Sequence, residues 1–391
     1  MEFAASELVR LLPQHYFSSL YKKVDELVEQ GIDVINWANG NPDLPTPPHI
    51  VEALQKAAAD PQNHGYPPFF GKRSLREAVA LFYKREYGVE LDPETEIAVM
   101  QGTGVGITGI PQAVLDPGDT MITTNPCYPA YRVAALMARA NVYEIPVFED
   151  EGFLPDYSRV PADVAAKAKL IVLNYPNNPT GVVATRPFLE ESVRFAGKHG
   201  IALLHDFAYG AFGFDGHLPI SLMQIEGGKE VGIETYTLSK TYNMAGWRLG
   251  IAVGNASLIR AYRHLHSHAY STIFGAIQDA AAAALAGPQD SVEALRQLYE
   301  RRRNVLVEGL RSAGWQEVRA PQGTFFAWFR VPDGYNSRTF TDALLEKADI
   351  VVAPGEGFGT NGEQYVRVNL LNSEERILEA IERVKRSGLF G

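Results

Sequence analysis

A single cysteine, Cys127, occurs among the 391 residues. An intrachain disulfide and a multi-cysteine metal site are therefore both excluded, and the composition suits a reducing compartment such as the cytosol. Long apolar runs are also missing. Nowhere do about eighteen uncharged apolar residues follow one another, as a membrane span requires, and the alanine-rich stretch from Ala280 to Ala286 is far shorter. Basic charge is in deficit, with 36 Lys and Arg against 46 Asp and Glu for a net charge of −10, a balance that disfavours nucleic acid or an anionic membrane as partner. Met1 to Leu12 lacks the basic start and unbroken apolar run of a secretory leader, so no cleaved signal is expected. Histidine is too sparsely grouped for a metal centre: of His264, His266 and His268 only the first and last share a helical face, and no carboxylate is spaced to complete a ligand set. No fixed-period repeat and no Ser/Gly/Pro-rich linker interrupts the chain.

What is present is a series of short apolar runs between residues 96 and 254: Ile97 to Met100, Asp119 to Thr124, Val142 to Val147, Leu170 to Asn174, Ile201 to His205, Glu234 to Leu238 and Leu249 to Val253. Several lack polar alternation, the mark of strands covered on both faces, and helical stretches separate many of them. One such helix is predicted over Arg186 to His199, with Thr185 as its cap, Pro187 in its first turn and Gly200 at its end. Beyond Gly287-Pro288 the texture changes. A long charged amphipathic helix (Val292 to Ser312), a strand (Phe325 to Val331), a helix (Thr339 to Lys347), strands at Ile350 to Ala353 and Val366 to Leu370, and a last helix from Ser373 read as a second, smaller unit. The loops Gly40 to Pro48 and His64 to Phe70 are rich in Pro, Gly and aromatics, and are placed to carry function.

Gly104 to Gly109 spells G-x-G-x-x-G directly after a strand. A dinucleotide site would need an acidic residue at the end of the next strand, and that strand ends Thr123-Thr124-Asn125. The narrower reading is a helix start, with Thr103 and the glycines offering N–H groups to an anion. Four later segments supply chemistry. Asn178 lies in N-N-P-T-G, Asp206 and Tyr209 in D-F-A-Y, and Lys240 in S-K-T-Y-N-M-A-G-W-R-L-G, which ends with Arg248 and its neighbours. Each follows a strand, so in a parallel sheet an amide, a carboxylate, a phenol and a lysine share the ligand-binding edge.

These motifs, with Y-V-R-V at Tyr365 to Val368, resemble in order and spacing the fold-type I pyridoxal-phosphate-dependent aminotransferases of the aspartate aminotransferase superfamily. The resemblance runs from about Asn36 to Leu370. It implies an α/β fold, with a three-layer α/β/α large domain built on a mostly parallel seven-stranded sheet and a smaller α+β domain. The expected divisions are an arm and part of the small domain at 1–45, the large domain at 46–286 and the small domain at 287–391.

The resemblance also implies roles. Lys240 would bond to the cofactor aldehyde and, once displaced by substrate, carry the proton. Asp206 would pair with the ring nitrogen, Tyr209 and Asn178 would bond the phenolic oxygen, and Tyr128 would stack on the ring. The phosphate would lie at Thr103, Gly104, Thr237, Ser239 and Arg248. Tyr66 would reach the phosphate of a neighbouring subunit, which makes a homodimer with shared active sites the expected assembly. Arg367 would hold the substrate carboxylate, helped by Gly40 and Asn178. The partners would be amino acids and 2-oxo acids.

Neither Ser267 to Gly275 nor Gly102 to Ile110 carries Lys or Arg, where dicarboxylate specialists of the family supply a second cation, so a neutral or apolar substrate side chain is expected. Asn41 to Pro47, Phe82 to Val89, Leu154 to Ser158 and Thr237 to Gly250 resemble the branch serving bacterial methionine salvage, which aminates 4-methylthio-2-oxobutanoate. The chain departs from that branch at Gly102-Thr103-Gly104 and Trp37-Ala38-Asn39-Gly40, both beside the site. Carbon–sulfur lyases share this fold and cofactor, and so do the effector domains of certain transcription factors. The latter carry a basic module ahead of the domain, unlike the acidic chain here.

Overall fold

A computed structural model describes residues 1, 3–13 and 18–390, so positions 14–17 of the expected arm lie outside the described residues. Twelve strands occur in chain order among the described residues: β1 (Ile35–Asn36), β2 (Ile97–Met100), β3 (Thr120–Asn125), β4 (Asn141–Pro146), β5 (Ala168–Leu173), β6 (Ala202–Asp206), β7 (Gly232–Thr237), β8 (Gly250–Gly254), β9 (Phe326–Arg330), β10 (Ile350–Val351), β11 (Ala353–Pro354) and β12 (Tyr365–Asn369). Seven of them form one sheet in the order β2-β8-β7-β6-β5-β3-β4. All neighbours from β7 to β4 pair in parallel, while β8 runs against both β2 and β7. The expected mostly parallel α/β sheet is thus present.

Burial explains the sequence texture. Every residue of β2, β3, β7 and β8 is buried, and only edge strand β4 is largely open. A strand covered by helices on both faces has no solvent side on which to place polar residues. The crossover helix is Arg186–His199, with the Thr185 hydroxyl accepting from Phe188 N and Gly200 ending it in the left-handed region.

The C-terminal residues build a three-stranded antiparallel sheet, β11-β12-β9, and a parallel pair, β1-β10. Around them lie helices Asp290–Ser312, Ser337–Ala348 and Glu374–Arg386. One apolar cluster joins Ile35 and Trp37 to Leu306, Phe340, Val366 and Ile377. The segment Ile350 to Ala353, expected as one strand, is instead divided between two sheets. Ile350 and Val351 pair with Ile35 and Asn36, whereas Ala353 and Pro354 pair with Arg367 and Val366. A continuous apolar run does not reveal this change of partner, because it marks burial and not which strand lies alongside. Among the described residues, no helix is long and apolar enough to cross a membrane.

Candidate active site

The sheet topology gathers the candidate residues. The C-terminal ends of β2, β3, β5, β6 and β7 lie along one edge. Because β8 runs the other way, the residues before its start come to that same edge. Gly102-Thr103, Tyr128, Asn178, Asp206, Tyr209, Lys240 and Arg248 are therefore brought together from segments far apart in the chain. The chain also reverses its winding between β3 and β5, the place where open α/β sheets bind ligands.

Lys240 sits on the one-turn helix Leu238–Thr241 after β7, and its ammonium donates to the Gly40 carbonyl at 2.7 Å. Burial, reinforced by the charges of Arg367 and Arg248, lowers its pKa to about 8, so its neutral amine is within reach near physiological pH. The Thr237 hydroxyl accepts from Ser239 N at 3.2 Å and keeps its own proton to donate.

Asp206 closes β6 and is buried. It accepts from the Tyr131 hydroxyl at 2.8 Å and from Thr235 at 3.3 Å. Desolvation pushes its pKa up, and these donors only partly oppose that rise. A cation placed against it would restore the ionised form. Tyr209 is buried edge-on to Phe325 and Phe326, and burial raises its phenol, which keeps the proton. Tyr128 remains 39% exposed and meets Tyr131 edge to face with ring centres 5.7 Å apart.

Helix Thr103–Val114 starts without a side-chain cap, because its cap residue is Gly102 at φ +80°. A Cβ on Gly102 would lie 2.7 Å from Nη2 of Arg248, so glycine is what lets the guanidinium approach the open N–H groups of Thr103 and Gly104. Uncapped N–H groups, an arginine and the hydroxyls of Thr237 and Ser239 form a donor set suited to a phosphate.

On the other side of Lys240, Arg367 projects from β12. It is only 5% exposed and donates to Asn178 Oδ1 and to the Ala38 carbonyl, each at 2.9 Å. Its guanidinium lies 3.8 Å from the ring centre of Phe326 and 4.9 Å from that of Phe358, contacts worth about 2 kcal/mol each when desolvated. Burial lowers its pKa to about 10, and it stays charged at neutral pH. Tyr66 stands apart: it is 96% exposed on this chain.

Three groups were missed from sequence. Tyr131, the direct donor to Asp206, lies three positions after Tyr128, a spacing that puts both on one side of a helical turn. Asn174 donates to the Asp206 carbonyl at 2.7 Å and accepts from Asn178 N at 2.8 Å, tying the two strand ends together. The phenol of Tyr21, on helix Ser18–Glu29, is close enough for its charge to couple to Arg367, although burial is the larger influence on it. The histidines of helix Ala256–Ala269 have local partners. His266 bonds Gln101 at 2.8 Å, and the rings of His264 and His268 meet edge-on at 5.0 Å.

A desolvated lysine, a buried carboxylate and a phosphate-sized donor cradle fit a phosphorylated pyridine aldehyde, and the arginine beyond them fits a carboxylate substrate. Comparison with known proteins agrees. Residues 32–384 match the family model described as aminotransferase class I and II. The L-glutamine–4-(methylsulfanyl)-2-oxobutanoate aminotransferase of Bacillus subtilis is 52% identical over 390 residues, covering 100% of this chain and 98% of that protein. An LL-diaminopimelate aminotransferase of Syntrophobacter fumaroxidans is 43% identical over 386 residues, covering 99% of each. The substrate-bound structure of BacF from Bacillus subtilis superposes with a TM-score of 0.95 at 45% identity, covering 100% of this chain and 99% of that one. The chain belongs to the class I and II aminotransferases, and is a pyridoxal-phosphate-dependent transaminase.

Proposed function

We propose that the enzyme aminates 4-methylthio-2-oxobutanoate to methionine with glutamine as donor. The observation that carries this reading is the 52% identity, over the whole chain, to the Bacillus subtilis enzyme named for that pair of substrates. The absence of Lys and Arg from Ser267 to Gly275 and from Gly102 to Ile110 also supports it, since a dicarboxylate substrate would need a second cation.

When bound, pyridoxal phosphate supplies an electron sink for the pair left when the substrate Cα proton departs. The chain's own residues do the rest. Arg367 binds the substrate carboxylate through its planar fork and, with Asn178, fixes which Cα bond faces Lys240. Lys240, neutral and shielded from water, is placed to take the proton from the substrate Cα. Asp206 stays ionised opposite the ring nitrogen and holds the charge there. Tyr209 and Asn178 orient the ring through its phenolic oxygen, and Tyr128 covers its face. Thr103, Gly104, Thr237, Ser239 and Arg248 anchor the phosphate. We also assign the exposed Tyr66 to the phosphate of a second copy, which makes the working unit a cytosolic homodimer.

Steady-state turnover across amino donors with 4-methylthio-2-oxobutanoate, 2-oxoglutarate and pyruvate tests the substrate. The expected result is the highest kcat/KM for glutamine with 4-methylthio-2-oxobutanoate. A preference for aspartate with 2-oxoglutarate contradicts it, and so does release of pyruvate and ammonia from an amino acid without any keto acid.

A further inference from the structure

Behind the site, on the opposite face of the sheet, lies a buried histidine–carboxylate pair that the chemistry above does not use. His205 and Glu234 are both fully buried on neighbouring strands β6 and β7. His205 Nε2 faces the Tyr175 carbonyl at 3.0 Å, and Nδ1 faces Glu234 Oε2 at 2.8 Å. A carbonyl has no proton to give, so Nε2 carries one. The second proton lies between Nδ1 and the carboxylate. Glu234 already accepts from the Tyr83 hydroxyl at 2.9 Å and from the Ser221 hydroxyl and Leu222 N at 2.7 Å each. Three donors stabilise the carboxylate as an anion, which leaves the proton on the ring.

His205 immediately precedes Asp206, and successive side chains of a strand point to opposite faces. The His205 ring thus stands behind the carboxylate that must be ionised. The donors to Asp206 itself are neutral: the Tyr131 and Thr235 hydroxyls and the Ala208 N–H. Tyr128 and Tyr209 are the nearby phenols on the cofactor side. Tyr87, Tyr236 and Phe207 also pack around the His205–Glu234 pair. Burial is the largest influence on Asp206 and raises it, while the charge of His205 acts in the opposite direction.

We infer that His205 is a standing imidazolium and a positioning residue of the transamination, acting through Asp206 by holding that carboxylate ionised behind the cofactor ring. The inference rests on the reading of Asp206 as partner of the ring nitrogen.

Nitrogen NMR of full-length holoenzyme carrying 15N-histidine reads the ring directly, with no need for turnover. Both His205 nitrogens are expected to carry protons in the unaltered holoenzyme, as the two acceptors facing the ring require. Glu234→Gln, which keeps the volume and removes the charge, is expected to convert that signal to a neutral ring and so also identifies it. In His205→Gln the acid limb of the kcat profile is expected to move up by about one pH unit, about tenfold in turnover below the limb, with little change in KM. A neutral His205 ring in the unaltered enzyme overturns the inference, as does an acid limb that stays in place while only the Tm falls. Asp206→Asn keeps the two readings apart: full turnover in that variant contradicts the role of Asp206, whereas the NMR result judges His205 alone.

Discussion

At the scale of single residues, the chemistry depends on burial and neighbouring charge shifting the balance between protonation states. Lys240 is the plainest case, since desolvation and two nearby guanidiniums disfavour its cation. In the enzyme freed of cofactor, the reactivity of Lys240 toward an amine-selective acylating reagent is expected to rise with a midpoint near pH 8. A midpoint near the ordinary lysine value of about 10.4 would mean that the pocket does not desolvate it. Arg367 shows the other requirement, shape. Its two end nitrogens already serve Asn178 and Ala38, so Arg367→Lys keeps the charge and loses the fork. Loss of one charge-assisted hydrogen bond, about 1.5–3 kcal/mol, predicts a fall in kcat/KM of about 10- to 100-fold, measured with both substrates. The residues that could be read from sequence were those embedded in motifs, such as Lys240 in S-K-T-Y-N and Asp206 in D-F-A-Y. Tyr131 and Asn174 were not legible, because their roles arise from hydrogen bonds to Asp206 across strands that meet only after folding.

At the scale of elements, local signals worked where the cause is local. Thr185, Pro187 and Gly200 delimit helix Arg186–His199 to the residue, since capping depends on neighbours within one turn. Strand ends shifted by a residue or two, because apolar composition marks burial rather than pairing. The split of Ile350 to Pro354 between two sheets was not legible for the same reason. The start of helix Thr103–Val114 joins element to function. There the backbone needs φ +80° at Gly102, and Arg248 occupies the space a side chain would fill. Gly102→Ala is expected to push the guanidinium away and weaken cofactor retention at least tenfold, as measured by equilibrium dialysis against pyridoxal phosphate. Unchanged retention would show that Arg248 does not serve the phosphate.

At the scale of the whole molecule, the sheet edge assembles one half of the site and β12 contributes the other. Arg367 thereby couples the C-terminal sheet to the large one through Asn178. Fold class and the grouping at the edge followed from sequence, whereas the particular pairing of β1 with β10 did not. The exposed aromatics Tyr66, Phe69 and Phe70 belong to this scale. Sedimentation equilibrium is expected to give twice the chain mass of 43.0 kDa. Tyr66→Phe should keep that mass but loosen the cofactor several-fold, and a monomer with full activity would contradict the assignment of Tyr66 to a second copy.

The most direct measurement is borohydride reduction of the holoenzyme, followed by tryptic digestion and mass spectrometry. A lysine joined to the cofactor resists trypsin, so the account predicts the label on one peptide spanning Glu230 to Arg248 with Lys240 uncleaved. A label on another lysine, or none at all, would contradict it.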